Sequence, residues 1–481
     1  MAGYRFIART VGAFVLAGLA GCTQNGVSSS VEADPDQPAT SQAALGSPGQ
    51  AIAGKQHFQQ ALPGTNGRSC ATCHVLSDNT ALTPAHVEAV WARNPADPLF
   101  NRIDADDPTA PTPTYAHLKK GLVRVVLPLP PNMDVIDVQG NVITAPDRKI
   151  SVWRGVPSIA DTGFSGPFQV DGRETSLTAQ AQSAVTNHSE GGTVAAPVLQ
   201  RIAAFERSVF SSPRARFVSD LLELGVPLSD IPDPDVLLAL DASERRGRDV
   251  YALTCEACHG DRTRNRIVRR DVHDSLFFAL KPNGNIQYAV TPGQPPTPVN
   301  VPRPDSEFLN VGFSLMTYLG QRGVVPLFND SVDFPQYRFR FYTDATRQHA
   351  VTDLPPIPVT ASGHPDDINP ALDENGAPIV GPSLAAQWYS TDPGRALISG
   401  DPTEFEAFDV PSLRGIARSA PYFHDNSHAT LADSVDTYSR FILPGIVAMG
   451  LPLNPPEFPG GPPEVLTPTQ KQDLVRFLQR L

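Results

Sequence analysis

Cys70-Ala-Thr-Cys73-His74 and Cys255-Glu-Ala-Cys258-His259 decide the reading of this 481-residue chain. C-x-x-C-H is the attachment sequence for c-type haem. Two thiols three residues apart can each bond one vinyl arm of a porphyrin. The next residue, a histidine, then lies beneath the ring as proximal iron ligand. The chain has five cysteines and four of them lie in these motifs, so none are left for a disulfide network. A four-cysteine zinc ribbon spaces its pairs by roughly 15–20 residues, whereas Cys73 and Cys255 are far apart. A thioredoxin-type pair would not explain a histidine after both motifs. The expectation is two covalently bound haem c groups, with His74 and His259 as ligands.

Working outward, the length allows two or three domains. The formal net charge of −12 argues against nucleic acid as a partner. Proline, 49 of 481 residues, is about twice its usual share of roughly 5%. That points to long, tightly routed loops around a helical core. The expected fold is mainly α: two cytochrome c-like haem domains with long Pro-rich loop insertions.

The start of the chain reads as an export signal. Arg5 and Arg9 precede an apolar run from Val11 to Ala20, too short to span a bilayer. It ends in Leu19-Ala20-Gly21-Cys22, which has the form of a bacterial lipobox. Residues 1–21 are then the lipoprotein signal and Cys22 the lipidated first residue of the mature chain. The other reading is an ordinary cleaved signal with an incidental cysteine. Residues 22–48, rich in Ser, Gln, Asp and Pro, read as a flexible tether. Thr23 follows the cysteine, which by analogy with sorting in enteric bacteria leads to the periplasmic side of the outer membrane.

Residues 49–212 read as the N-terminal haem domain. Gly54–Gln60 is a helix candidate with Phe58 inward, and Glu244–Leu253, with Gly247 and Tyr251, is its counterpart. Both show Gly-x-x-x-aromatic ahead of C-x-x-C-H. The partial alternation of Leu122–Ile143, with Gln139-Gly140-Asn141 as turn, predicts a β-hairpin. Leu199, Ile202, Phe205 and Val209 close this domain with a helix. Residues 213–240, with four prolines, read as a linker. The C-terminal haem domain spans 241–481 and ends in a helix opened by Pro468. Residues from about 280 to 400 read as a large insertion with a short helix near Leu315–Leu319.

A second repeat runs beyond the haem motifs. Fourteen residues separate Pro157 from Asp171 and Pro411 from Asp425. Six more lead to Leu177 and Leu431. Equal offsets plus duplicated haem motifs argue for two homologous halves, with Val170 and His424 in equivalent places.

With these residues in view, the chain resembles the bacterial dihaem cytochrome c peroxidase family, which includes MauG-type enzymes. Val410-Pro-Ser-Leu-Arg-Gly-Ile-Ala-Arg-Ser-Ala-Pro-Tyr-Phe-His-Asp-Asn-Ser427 is similar to its C-terminal signature. Asp171-Gly-Arg173 through Gln180 to Glu190 is similar to its N-terminal one. The resemblance implies that the N-terminal haem binds hydrogen peroxide, with Gln180 positioning it and Glu190 moving its protons. That fits the chemistry, since O–O cleavage needs a proton carried from the inner to the outer oxygen. The bland reading makes Glu190 a solvated loop charge. The chain departs from the family pattern at three places. Val170 stands where a tryptophan assists electron flow between the haems, with Trp153 nearby in sequence. Gly155 stands where an asparagine holds calcium with the carbonyls of Ser419 and Pro421, so calcium is doubtful. Gly191 follows Glu190 where the peroxidases have methionine. Some members park a second histidine on the N-terminal haem, for which His86, His117 and His188 are candidates.

For the C-terminal haem the resemblance implies a distal ligand at Tyr438, fourteen residues after His424. The peroxidases carry methionine at that offset and MauG-type enzymes carry tyrosine. The alternatives are Met449, placed as in single-domain cytochromes c, and a Tyr438 that is simply core. The function expected is a haem peroxidase-type oxidoreductase, with electrons relayed through the C-terminal haem. They would come from a small cytochrome or cupredoxin, or from a protein substrate. The competing class is a non-catalytic dihaem electron carrier.

Overall fold

Two helix pairs, built alike, frame the two C-x-x-C-H motifs in this computed structural model. Pro48–Gln59 leads towards Cys70 and packs against Ala196–Arg207. Ala242–Thr254 leads into Cys255 and packs against Pro468–Leu478. A glycine sits at each crossing. A Cβ on Gly54 would enter the van der Waals shell of the Arg201 carbonyl oxygen and lie 3.0 Å from Phe205 Cβ. A Cβ on Gly247 would meet the Asp473 carbonyl oxygen in the same way and lie 2.9 Å from Phe477 Cβ. Four residues after each glycine comes the inward aromatic. Phe58 packs on Phe205, with ring centroids 5.0 Å apart, and Tyr251 on Phe477, at 5.4 Å.

The structure describes residues 48–264, 286–289, 297–300, 308–323, 325–355, 387–444 and 464–481. The signal, Cys22, the tether up to residue 47 and Met449 lie outside the described residues. Among the described residues no helix is long and apolar enough to cross a membrane.

Local sequence starts these helices. Asp241 and Glu244 form a reciprocal capping box at one, and Thr467 and Gln470, with Pro468 in the first turn, form another. Ser176 caps Leu177–His188, and Thr430 with Asp433 caps Leu431–Thr437. Those two caps stand at equal offsets in the repeat. The backbone repeats as well. Gln169 and Phe423 both have positive φ, 71° each, and the bridges Phe168–Glu174 and Tyr422–His428 match.

The expected hairpin over Leu122–Ile143 is paired otherwise. Leu122–Pro128 pairs antiparallel with Lys149–Gly155. Met133–Ile136, inside the expected hairpin and ahead of its turn, pairs with Arg338–Tyr342, which also pairs with Ala350–Leu354. The turn at residues 137–141 forms but closes only a single bridge, Ile136–Val142. The physical reason is burial. All four residues of Met133–Ile136 are buried, which suits a strand covered on both faces rather than one arm of a half-exposed hairpin.

Much of the described part of the 280–400 insertion is core. A helix at Phe313–Gln321 covers the short helix expected there. Phe339, Phe341, Leu354, Leu397 and Phe405 join Leu82, Val125 and Val152 in one apolar cluster. Each such side chain contributes on the order of 1.5–3 kcal/mol by burial. The stretch read as linker holds a helix, Pro213–Glu223, capped by Ser212. It also holds Asp235, a buried hub that accepts from Arg214, Arg264 and Arg414.

Candidate functional site

Each C-x-x-C-H motif is a tight turn of helix whose histidine is oriented by backbone carbonyls. His74 Nδ1 lies 2.9 Å from the Thr80 carbonyl oxygen, with the Pro157 carbonyl a second neighbour. His259 Nδ1 lies 3.1 Å from the Pro411 carbonyl and 3.3 Å from that of Arg264. Pro157 and Pro411 are the two prolines of the repeat. A carbonyl can only accept, so each Nδ1 carries the proton and each Nε2 keeps its lone pair, the form that ligates a metal. Burial pushes both imidazoles down in pKa, against those carbonyl bonds, with His259 lowered to about 4. Both are therefore neutral near pH 7.

All four thiols are free rather than paired in disulfides. Burial raises Cys70 and Cys258 to about 12 and Cys73 and Cys255 to about 11. Such thiols are poor thiolate nucleophiles or redox partners, which argues against the thioredoxin-like reading. Among the described residues no group of three or more His, Cys, Asp and Glu is gathered to hold a bare metal ion. Paired thiols beside an oriented, neutral imidazole fit a c-type haem in both motifs.

The repeat sets a helix beside each motif. Leu431–Thr437 runs into a π-helical turn, Tyr438–Ile442, that opens on Tyr438. Wide turns of this kind are frequent at functional sites. Tyr438 packs against the C-terminal core, as do Cys255, Cys258 and Phe423. Burial first, then the two thiols, push its phenol above the ordinary value, which marks its nearness to the attachment cysteines. Counting seven residues from each repeat leucine, the residue equivalent to Tyr438 is Ala184 on Leu177–His188. Gln180 and His188 flank Ala184 at four residues either side and share its stripe, while Leu177, Ala181 and Val185 fill the buried stripe.

Gln180 is half-buried on this helix, and Glu190 is exposed just past its end, at φ 52°. Glu190 Oε2 accepts from Asn66 Nδ2 at 3.0 Å. The same Nδ2 donates to the His188 carbonyl at 3.3 Å, as does Arg68 Nη1. Arg68 is buried and paired with Asp104 at 2.6 Å. Of the candidate histidines, His117 is committed. Its Nδ1 lies 2.6 Å from Asp106 Oδ1, its Nε2 2.9 Å from the Asp333 carbonyl, and its ring stacks on Trp153 at 3.9 Å. Trp153 thus packs with Leu122, Val332 and Phe334 as core. His86 lies in the first turn of the helix capped by Thr83.

The sequence reading missed three features. Glu206 stands where the other helix pair has Leu478. Burial lifts its carboxyl to about 8, with Arg207 opposing, and its charge is felt at Cys70. A charge at a core position of an amphipathic helix was the available signal. Arg154 is buried between Asp171 and Asp392, donating to both. The third is Asn426, whose side chain fills the space a Cβ on Gly155 would enter, with Nδ2 donating to the Lys120 carbonyl at 2.9 Å. A neutral amide thus occupies the place beside Gly155. Val170 gives its carbonyl to Asp409 N, and His424 stacks on Phe408 at 3.9 Å.

Residues 49–216 match the family described as di-haem cytochrome c peroxidase. No curated protein matches the chain. Among solved structures, a MauG-like protein associated with microbial copper homeostasis is 18% identical, with 90% of this chain and 88% of that one covered, at TM-score 0.40. The diheme peroxidase BthA from Burkholderia thailandensis is 16% identical, covering 90% and 85%, at 0.35. Hydrazine synthase from Kuenenia stuttgartiensis is 13% identical, covering 98% and 100%, at 0.37. Scores of this size leave the functional argument to the chain's own residues.

Proposed function

We propose, taking as premise that residues 49–216 belong to the di-haem cytochrome c peroxidase family, that this chain is a dihaem c-type oxidoreductase that reacts with hydrogen peroxide. Cys70, Cys73 and His74 would hold the first haem, and Cys255, Cys258 and His259 the second. The observation that carries the reading is the duplicated imidazole geometry: in both motifs Nδ1 is engaged by backbone carbonyls and Nε2 is left for iron. A bound haem supplies redox-active iron at each place. The chain's own part is to orient the proximal imidazoles and to exclude water with the two cores. It also offers Gln180 and Glu190 near the first haem to hold and move the protons of peroxide.

Electrons would reach the first haem through the second, from a small cytochrome or cupredoxin or from an oxidised protein substrate. Protein matured in an export-competent host is expected to carry two haem additions by mass spectrometry. Its ferric spectrum should change rapidly with peroxide. One haem or none sinks the reading, and two haems inert to peroxide return the chain to the electron-carrier class.

We place Tyr438 as distal ligand of the second haem, because its phenol packs against the same core as both attachment cysteines and lies within reach of their charge. A phenolate is a hard anion that favours ferric and higher states, where methionine favours ferrous iron. Tyr438→Phe is expected to change the spectrum of one haem and leave the other alone. If Met449→Leu does so and Tyr438→Phe does not, the ligand is the methionine.

The lipobox reading makes Cys22 the anchor on the periplasmic side of the outer membrane. Acyl chains contribute about 0.8 kcal/mol per buried methylene, so several hold a soluble body at a bilayer. Cys22→Ser is expected to move the protein from the membrane fraction to the soluble fraction. Wild-type protein already soluble after processing would contradict the anchor.

A further inference from the structure

We infer that the His188 imidazole is the distal base of the first haem, the group that accepts a proton from a protic ligand as that ligand binds the iron carried by His74. The inference rests on the dihaem reading above and adds an acid–base residue to Gln180 and Glu190.

The repeat supplies the first argument. Tyr438 stands over the attachment cysteines of the second motif, and Ala184 holds the matching place at the first. The first half therefore carries a methyl group where the second carries a phenol. His188 lies one helical turn beyond Ala184 on the same stripe, and Gln180 one turn before it. The stripe facing the first haem is therefore Gln180, Ala184, His188.

The second argument is how this residue is fixed. The end of the 177–188 helix is tied to the loop that enters the first motif. Asn66 Nδ2 and Arg68 Nη1 each donate to the His188 carbonyl at 3.3 Å, and Asn66 N donates to the Ser189 carbonyl at 2.9 Å. Arg68 is two residues before Cys70 and is itself held by Asp104 and the Leu99 carbonyl. The His188 backbone is thus set against the haem attachment point rather than left on a loose loop.

The third argument is electrostatic. Burial pushes His188 down in pKa, against Asp104, with Arg173, Arg68 and the His74 ring adding to the fall. The two imidazoles are within reach of each other's charge, and His188 is a neutral base near pH 7. No described residue hydrogen-bonds its ring. His117, by contrast, has both ring nitrogens engaged. Glu190 is exposed and held by Asn66, so it suits proton exchange with solvent at the rim. His188 is the inner member of that pair.

Cyanide isolates the step, because at neutral pH it arrives as HCN. Its H–C bond would break, the proton passing to a His188 ring nitrogen and the electron pair staying on the cyanide carbon, the atom that a haem iron would accept. No oxidant or reductant is consumed. On the full-length, haem-loaded protein, stopped-flow cyanide association at the first haem is expected to slow by roughly 10²-fold or more in His188→Ala, while Asn187→Ala, at an exposed position of the same helix, stays within about threefold of wild type. His188→Gln keeps a side chain of similar reach without the basic nitrogen and is expected to slow equally, so a folding defect in the alanine variant does not block the test. The ferric spectrum of the first haem should be unchanged in both His188 variants. Association at the wild-type rate overturns the inference, as does equal slowing in Asn187→Ala. A switch of the first haem from low to high spin in the His188 variants also overturns it, since His188 would then be an iron ligand. Wild-type protein that matures without two haems counts instead against the dihaem reading beneath it.

Discussion

Arg154→Met is expected to destabilise the protein by about 3–5 kcal/mol near neutral pH, the usual cost of removing one partner from a buried ion pair. The Arg154 side chain is 4% exposed and lies between Asp171, 0% exposed, and Asp392, 2% exposed. Its Nε and Nη2 donate to the two Asp392 oxygens at 2.6 and 2.9 Å, and its Nη1 donates to Asp171. Methionine fills similar volume but leaves two carboxylates buried near one another. Asp171 would keep Arg173, which donates to both its oxygens at 2.9 and 2.8 Å. Asp392 would keep only the Gly394 amide among these donors.

The pH dependence follows from Asp171. Burial pushes its carboxyl up, but Arg154 and Arg173 outweigh this and hold it below the ordinary range. A depressed folded pKa gives stability that is present above the unfolded value, near about 3.9, and is lost as pH falls through the folded value. The gap between wild type and Arg154→Met should therefore be full at pH 7 and narrow in acid, below about pH 4. Thermal melts at both pH values test this, with a drop of roughly 3–5 °C expected at pH 7. Equal melting temperatures at pH 7 would mean that Arg154 is not what joins the 149–155 strand to the Asp171 loop and the 387–392 segment.

Much of the helical frame was legible because it is written locally. Attachment of a c-type haem would demand Cys-x-x-Cys-His in one short run, and Gly-x-x-x-aromatic marks a helix that is crossed closely. Pro468 and the spacing of Leu474, Phe477 and Leu478 opened and oriented the last helix. What stayed hidden depends on partners far along the chain. The strand Met133–Ile136 pairs with Arg338–Tyr342 some two hundred residues on, and nothing local names that partner. Arg154 looks like any strand arginine until Asp392 arrives from the insertion. Asp235 sits in a Pro-rich stretch that reads as linker, yet arginines 214, 264 and 414 converge on it. The site residues show the same division. Gln180, Ala184 and His188 are visibly four apart, but their meaning comes from the register of the second half, which sets Ala184 against Tyr438.

That duplicated frame gives a prediction with two arms. Gly247→Ala is expected to unseat the 242–254 helix from the 468–478 helix, and Gly54→Ala the 48–59 helix from the 196–207 helix. Intrinsic propensity works the other way, since alanine in a helix interior is favoured over glycine by about 1 kcal/mol. Sterics win because the obstacle is a helix backbone carbonyl, Asp473 in one pair and Arg201 in the other, and not the movable end of a side chain. Overpacking a close-packed core typically costs 1–3 kcal/mol, and roughly the top of that range or more where backbone must shift. The net expectation is a loss of about 2 kcal/mol or more in each variant. The loss should also be local. Gly247→Ala disturbs the seat of Tyr251, whose hydroxyl donates to the His259 carbonyl, so mass spectrometry should find the second haem depleted and the first retained. Gly54→Ala disturbs the seat of Phe58, whose ring lies 6.1 Å from that of His74, so the depletion should reverse. Gly192→Ala is the control, because a Cβ there meets nothing within 4 Å, and it should keep both haems and the wild-type melting temperature. Unchanged or raised stability in the two crossing variants would show that the helices yield without cost. The close crossings would then not be what seats the paired haem motifs.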